Sequence, residues 1–153
     1  MTPSKRIEEL GIVLPPAPAP VGSYRPALRS GPWVLTSGQL PMRDGALTCT
    51  GKVPSPVGVE EAARGARQAM LNALAVAAAE AGGIDAIERV VRVCVFVNST
   101  PDFTDQPKVA NGASDLLLEI FGEAGRHVRA AVGAAALPLD APVEVELIVQ
   151  VRT

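Results

Sequence analysis

The segment of this sequence that most constrains the fold is residues 143–151, where apolar and polar side chains alternate. The odd-numbered positions are all valine or leucine, and the even-numbered positions include Glu144 and Glu146. An alternation with a period of two is typical of a β-strand that is buried on one face. The sequence therefore predicts a sheet that packs against helices on one face. The opposite face should be free of helices and should carry Glu144 and Glu146.

The rest of the sequence supplies the elements that complete such a sheet. Apolar residues recur every three to four positions over 59–81, which predicts an amphipathic helix. Residues 90–97 are mostly β-branched and nearly all apolar, which predicts a central strand covered on both faces. Further strands are predicted at 26–30, at 33–38, after the Asp44-Gly45 turn, at 126–134 and at 143–152, with a second helix at about 105–121. This order predicts an α+β sandwich with two helices on one face of a mixed sheet.

The N-terminal residues differ in composition from the rest of the chain. Residues 4–10 predict a short helix that begins at Ser4 and ends at Gly11, and the prolines within 15–20 predict an extended arm. We therefore divide the chain into this helix and arm, residues 1–20, and one domain, residues 21–153. Because these first residues lack the apolar stretch of a secretion signal or membrane span, we expect a cytoplasmic protein that does not enter membranes.

Composition argues against several classes of function. A net charge of −2 and only 3% aromatic residues provide neither the basic surface nor the stacking platforms that nucleic-acid binding requires. The two cysteines, Cys49 and Cys94, are too few for a disulfide framework and lack the paired spacing of a zinc site. The sole histidine, His127, excludes a histidine-rich metal cluster. We expect no metal ion and no nucleic-acid partner.

Arg129 is the strongest candidate for a ligand-binding residue. It shares one side of its predicted strand with His127 and Ala131, and we expect that side to be the helix-free face, together with Glu144. If the last two strands form a hairpin, Arg129 lies roughly 16 Å from Glu144 in the same chain, so the two would meet only across an oligomer interface. A guanidinium can hold a planar carboxylate through two hydrogen bonds. An ion pair between subunits would explain the same pattern.

Several short motifs, in this order, resemble the RidA/YjgF family of reactive-intermediate (imine) deaminases, also described as endoribonuclease L-PSP-like. The resemblance covers the chain from about residue 21 onward. The motifs are Gly22-Ser23-Tyr24, residues 35–41, Ala66-Arg67-Gln68 with Asn72, residues 95–97, residues 129–138 and residues 143–146.

The resemblance implies a fold, a reaction and a set of site residues. The family has a chorismate-mutase-like fold, and its homotrimers form a central barrel with clefts between subunits. Without a cofactor, its members hydrolyse small 2-imino and 2-enamino acids, such as 2-iminobutyrate and 2-aminoacrylate, to 2-oxo acids and ammonia. By resemblance, Arg129 holds the substrate carboxylate and Glu144 positions the attacking water. Residues matching the cleft lining are Tyr24, Ser37, Gly38, Asn111 and Ala131.

The sequence also departs from the family pattern around Arg129. His127 stands where much of the family has proline, and Ala130 and Ala131 replace the usual serine and cysteine. These smaller, less polar side chains leave open an alternative function, a trimeric protein that binds small carboxylate metabolites in the same cleft without turnover. Ribonuclease activity, claimed for some members, fits poorly with the acidic charge and the single histidine.

Overall fold

A mixed sheet of five strands, with two long helices on one face, forms the body of the protein in the computed structural model, which describes residues 1–18 and 22–153. The helices are α1 (Pro3–Glu9), α2 (Val59–Ala81) and α3 (Gln106–Phe121). The strands are β1 (Ala27–Ser30), β2 (Trp33–Thr36), β3 (Met42–Arg43), β4 (Ala46–Leu47), β5 (Ile87–Asn98), β6 (Val128–Ala134) and β7 (Val143–Val151). The predicted α+β architecture is therefore confirmed. No helix within the described ranges has the length and apolarity to cross a lipid bilayer.

The strand order corrects the prediction that the last two strands form a hairpin. The order is β1-β2-β7-β5-β6, with β5 parallel to β6 and antiparallel to β7. The connection after β6 reverses the direction of the chain, but it passes the end of β5 before β7 begins. There the side chain of Asn98 donates hydrogen bonds to Asp140 Oδ1 (3.0 Å) and to the carbonyl of Ala141 (3.1 Å). This contact directs the chain past β5, so β7 lies on the far side of it.

The strand register also corrects the predicted face of Arg129. Val93 is paired with Arg129 on one side and with Leu147 on the other. Val93 and Leu147 are buried against the helices. Glu144 is instead paired with Phe96, on the helix-free face. Because directly paired residues point to the same side of a sheet, Arg129 and Glu144 lie on opposite faces.

The error has a physical cause in the position of β6 at the sheet edge. On its helix side β6 packs against α3, and Arg129 makes polar contacts with α3 there. The apolar side chains of Val128 and Val132 lie on the helix-free face, where they are 61% and 45% exposed. Alternation correctly predicts two unlike faces, but on an edge strand it does not show which of them meets the helices.

Close packing of the helices on the sheet depends on small residues. The buried face of α2 is lined largely by alanines, which lets the helix approach the sheet closely. Helices α2 and α3 cross where Gly112 meets Ala63. A Cβ atom at Gly112 would overlap the carbonyl oxygen of Ala63 and lie 2.7 Å from the carbonyl carbon. This crossing limits how far apart α2 and α3 lie, and it therefore helps to position the side chains that α3 directs toward β6.

Other boundaries differ from the predictions by a few residues. Thr2, not Ser4, caps α1, because the backbone N–H and hydroxyl of Ser4 donate to Asp85 at 2.8 and 2.6 Å. These hydrogen bonds also lower the pKa of the Asp85 carboxyl. The strand predicted at 33–38 ends at Thr36, and the Asp44-Gly45 turn joins the short strands β3 and β4. The predicted arm at 15–20 falls partly on residues 19–21, which lie outside the described residues.

Candidate functional site

Arg129 is held in place by two polar side chains of α3. Its Nη1 donates to Asn111 Oδ1 at 2.9 Å and to Ser114 Oγ at 3.1 Å. Asn111 and Ser114 are three positions apart, so both project from the same side of the helix. The structure thus brings together two of the predicted site residues, Arg129 and Asn111, and adds Ser114, which the sequence analysis did not name.

This arrangement leaves one edge of the guanidinium free for a ligand. Both protons of Nη1 are used by Asn111 and Ser114, and in the described part of the chain the N–H groups of Nε and Nη2 have no acceptor and remain available. Within residues 1–18 and 22–153, Arg129 has no carboxylate at ion-pair distance. Two parallel N–H groups on a fixed, positively charged edge match the two oxygens of a carboxylate.

Ala131 lies beside Arg129 on the same side of β6. It is half-buried and packs against the hydrophobic core, and Gly133 follows it on the same side. Neither residue has a polar side-chain group, so the polar atoms next to Arg129 come from α3. That Ala131 lines a cleft near Arg129 stays a prediction; the structure shows only that the two residues share one side of β6.

Glu144 forms a second cluster on the helix-free face of the sheet. Gly38 lies directly against it, since a Cβ atom at Gly38 would overlap the Glu144 carboxylate and lie 2.8 Å from its Cδ. Ser37 precedes Gly38, and its hydroxyl donates to the carbonyl of Arg25 at 2.6 Å. Burial, and secondly the negative charge of Glu146, raise the pKa of Glu144. The result is a carboxyl group that takes up a proton more readily than an ordinary glutamate.

The two clusters do not meet within one chain. β5 separates β6 from β7, and the residue of β6 in line with Glu144 is Val132, three positions beyond Arg129. Strand spacing and rise then place the Cα atoms of Arg129 and Glu144 about 14 Å apart, on opposite faces of the sheet. Tyr24, the remaining predicted residue, lies before β1 and is 64% exposed. One chain therefore presents two halves of the predicted site.

Two features elsewhere in the protein also bear on what it can bind. No group of three or more His, Cys, Asp or Glu side chains could hold a metal ion in the described part of the chain. A cavity of about 670 Å³ lies between residues 13–18 and α2, away from Arg129 and Glu144. The amide groups of Gln68 and Asn72 in its wall already donate to backbone carbonyls of residues 40 and 42.

Comparison with known proteins identifies the family. The model of the family described as "YjgF/chorismate mutase-like, putative endoribonuclease" matches residues 4–151. The chain belongs to this family. Protein TCP17 of Trypanosoma cruzi is 45% identical over 147 residues, which are 95% of this chain and 92% of TCP17. A 2-iminobutanoate/2-iminopropanoate deaminase of Dermatophagoides farinae is 34% identical over 141 residues, 92% of this chain and 95% of that protein.

A solved structure of the YjgF-like family shows the same fold. The crystal structure of a "putative endoribonuclease" from Shewanella oneidensis MR-1 superimposes with a TM-score of 0.93 at 36% identity, covering 99% of this chain and all of that one. The match confirms the family resemblance seen in the sequence motifs and the chorismate-mutase-like α+β fold. The family match begins at residue 4, so it includes α1.

His127 and Ser114 are the residues of this YjgF-like site whose role the sequence did not reveal. Ser114 is 8% exposed, and its hydroxyl lies 2.9 Å from Nε2 of His127. The Nδ1 atom of the same ring lies 2.6 Å from the carbonyl oxygen of Gly125. The spacing of Ser114 from Asn111 on one helix is the only signal in the sequence that could have indicated its place beside Arg129.

Proposed function

We propose that this YjgF-like protein hydrolyses small 2-imino and 2-enamino acids to 2-oxo acids and ammonia. The observation that carries the proposal is the free edge of Arg129, which Asn111 and Ser114 hold in one orientation with no carboxylate neighbour. The relative from Dermatophagoides farinae, named for deamination of 2-iminobutanoate and 2-iminopropanoate, supports the same substrate class. Both of those substrates combine a carboxylate with an adjacent C=N bond.

The proposed chemistry needs little from the protein beyond positioning. Arg129 holds the carboxylate through Nε and Nη2, which fixes the neighbouring C=N carbon. Water adds to that carbon while Glu144 accepts one of its protons, and the C=N electron pair moves to nitrogen, which then takes that proton from Glu144 and so regenerates the carboxylate. The C–N bond of the resulting carbinolamine then breaks, ammonia leaves with a proton from the hydroxyl group, and a 2-oxo acid remains. A carboxyl group with a raised pKa suits this proton transfer near neutral pH.

The proposed site is completed between subunits. The helix-free face carries exposed Leu28, Trp33, Leu35, Val128 and Val132, a larger set of apolar side chains than a monomer usually leaves in water. Because Arg129 lies on the edge strand β6, a homotrimer in which that edge borders the helix-free face of a neighbouring subunit would bring Arg129 of one subunit near Glu144 of another. This assembly is part of the proposal. The reason for proposing it is that Arg129 and Glu144 do not meet within one chain.

The function is tested by competition for a short-lived imine. An amino-acid oxidase generates 2-iminobutyrate from 2-aminobutyrate, and semicarbazide traps the imine as a product that absorbs light. Active protein should reduce the initial rate of semicarbazone formation because it removes the imine first. Unchanged trapping at all protein concentrations would refute the proposal.

A second function, binding without turnover, is favoured by the apolar neighbours of Arg129. Ala131 offers no polar group to the reacting atoms, whereas carboxylate binding by Arg129 needs none. Calorimetry with 2-oxobutyrate distinguishes the two functions. Binding that Arg129→Ala abolishes, in a protein that fails the trapping assay, would support the binder; absence of binding would exclude it.

Replacing Gly38 with alanine is expected to impair turnover with little loss of stability. The new methyl group would occupy the position of the Glu144 carboxylate, the mobile end of a side chain, which can rotate away at small cost. We expect kcat to fall at least about tenfold, as for loss of a general base, while the melting temperature changes by no more than about 2 °C. Trapping assays and thermal melts measure the two quantities. Gly58→Ala, where the added Cβ meets no atom within 4 Å, is the control.

The pH dependence of turnover should report on Glu144. Because Glu144 accepts a proton only when ionised, activity should fall as the pH drops through its pKa, at a higher pH than for an ordinary glutamate. Glu146→Gln removes the negative charge that is the second cause of the raised pKa, so the acidic limb should move to lower pH. The rate of imine removal measured against pH tests this. An unmoved limb, or one that moves equally in the exposed control Glu8→Gln, would contradict the assignment.

A further inference from the structure

The pair of hydrogen bonds on the His127 ring determines where its proton lies. The carbonyl oxygen of Gly125 can only accept, so Nδ1, 2.6 Å away, must carry a hydrogen. In the neutral ring Nε2 is then an acceptor, and the Ser114 hydroxyl 2.9 Å away must donate to it. The ring is therefore held as the Nδ1–H form by the backbone on one side and by Ser114 on the other.

The direction of the Ser114 hydroxyl has a consequence for Arg129. With its single proton directed at His127, Ser114 Oγ presents its lone pairs elsewhere, and Nη1 of Arg129 donates to that oxygen at 3.1 Å. Asn111 Oδ1 accepts the other Nη1 proton at 2.9 Å. Hydrogen bonds therefore run in one direction, from Arg129 to Ser114 to His127, while the opposite ring nitrogen is fixed by Gly125.

We propose that His127 is a positioning residue that orients the Arg129 guanidinium through Ser114, so that the Nε and Nη2 edge faces an incoming carboxylate. The proposal rests on the proposed function only for the identity of the ligand. His127 itself has no contact with the ligand in this scheme. Its role is to accept the proton of the Ser114 hydroxyl, so that a lone pair of Ser114 Oγ stays directed at Nη1 of Arg129.

Without an acceptor at residue 127, Ser114 has another hydrogen-bond partner close by. A serine within a helix readily donates to the backbone carbonyl four residues earlier, which here belongs to Ala110. Its hydroxyl would then rotate, and the Nη1 contact would lose its fixed geometry. Asn111 alone cannot fix the guanidinium, because a single hydrogen bond leaves the whole planar group free to rotate about the line of that hydrogen bond.

The tautomer is directly measurable because His127 is the only histidine in the sequence. Long-range ¹H–¹⁵N correlation spectra of ¹⁵N-labelled protein, recorded above pH 8, should show one imidazole with a protonated Nδ1 and an unprotonated Nε2. An unconstrained neutral imidazole favours the opposite tautomer, so the result is informative. A spectrum with a protonated Nε2 would overturn the proposal whether or not any ligand binds.

Ligand affinity tests the effect on Arg129. With 2-oxobutyrate as the probe in calorimetry, His127→Phe and Ser114→Ala should each weaken binding about tenfold. His127→Gln, whose side-chain amide can still accept from Ser114, should restore affinity to within about threefold of wild type. In turnover, KM should rise in the same proportion while kcat changes less than threefold. A structural defect would lower the melting temperature and would not be rescued selectively by glutamine.

A double-mutant cycle separates the chain of contacts from general damage. Once Arg129 is alanine there is no guanidinium to orient, so adding His127→Phe should cause no further loss of residual affinity. If the wild-type protein binds 2-oxobutyrate, and Arg129→Ala weakens binding but His127→Phe does not, the role of His127 is refuted and that of Arg129 is not. Wild-type protein that binds no 2-oxo acid, with the Nδ1–H tautomer present, would instead refute a 2-oxo acid as the ligand of Arg129, whereas the trapping assay alone decides the proposed hydrolysis.

Discussion

Arg129→Lys is expected to lower kcat/KM for 2-iminobutyrate by at least about 100-fold, which corresponds to about 2.7 kcal/mol of lost transition-state stabilisation. Lysine preserves the positive charge, so the result would not reflect a simple loss of electrostatic attraction. An ammonium group has three donors around one nitrogen. It cannot satisfy Asn111 and Ser114 while presenting two parallel N–H groups to a carboxylate. The imine-trapping assay measures the change.

Arg126→Lys is the matched control for this substitution. Arg126 lies three residues before Arg129, is exposed, and pairs with Glu123 on the surface at 2.9 Å. An exposed ion pair of this kind contributes little, so the control should retain nearly full activity. Arg129→Lys with more than a third of wild-type activity would contradict the idea that two aligned N–H groups hold the substrate. Equal losses of activity in Arg129→Lys and Arg126→Lys would mean that the effect is common to arginine-to-lysine changes in this region and does not depend on Arg129.

Gly112→Ala is expected to produce the largest loss of stability, about 2–4 kcal/mol. At an open site in a helix the same change stabilises by about 1 kcal/mol. At Gly112 the added methyl group overlaps the backbone carbonyl of Ala63, which cannot move aside unless α2 and α3 separate. Urea unfolding followed by circular dichroism, at one fixed protein concentration, measures the change. The concentration is fixed because assembly would contribute to the observed stability.

Gly65→Ala provides the comparison, since Gly65 is also a glycine within a long helix. There the nearest atom to an added Cβ is Val143 Cγ1 at 3.4 Å, an ordinary contact distance. We expect Gly65→Ala to be neutral or slightly stabilising. If Gly112→Ala unfolds at the same urea concentration as Gly65→Ala, the close crossing of α2 and α3 is not needed. Separation of the helices should also move Asn111 and Ser114 away from Arg129 and weaken carboxylate binding in the folded fraction.

The helices, and the presence of a mixed sheet, could be predicted from sequence because the patterns that indicate them are local. The bounds of α2 agree with the apolar periodicity, and the mixed sheet follows from the order of elements. The separation of β6 from β7 by β5 could not be predicted reliably, because consecutive strands with a short connection usually pair. Here the connection is diverted by the buried side chain of Asn98, a contact between residues more than forty positions apart.

The candidate site was predictable to the same limited extent. Family motifs indicated that Arg129 and Asn111 belong together, and the structure places them in hydrogen-bond contact. The face of the sheet was wrong, because the apolar side chains of Val128 and Val132 were assigned to the core. Ser114 and His127 carry no motif, and their role depends on the crossing of α3 over β6 and on which ring nitrogen meets a carbonyl.

The place of β7 in the sheet has a consequence for synthesis of the chain. β7 follows every other strand in the sequence, yet it is the middle strand and the sole link between the β1-β2 pair and the β5-β6 pair. A nascent chain can therefore form two separate half-sheets, with unpaired inner edges, before the segment that joins them has been translated. Those edges are the ones that pair wrongly with other chains. The yield of folded protein should therefore be highest when the time between synthesis of β5 and synthesis of β7 is shortest, because the edges of β2 and β5 are then unpaired for the least time.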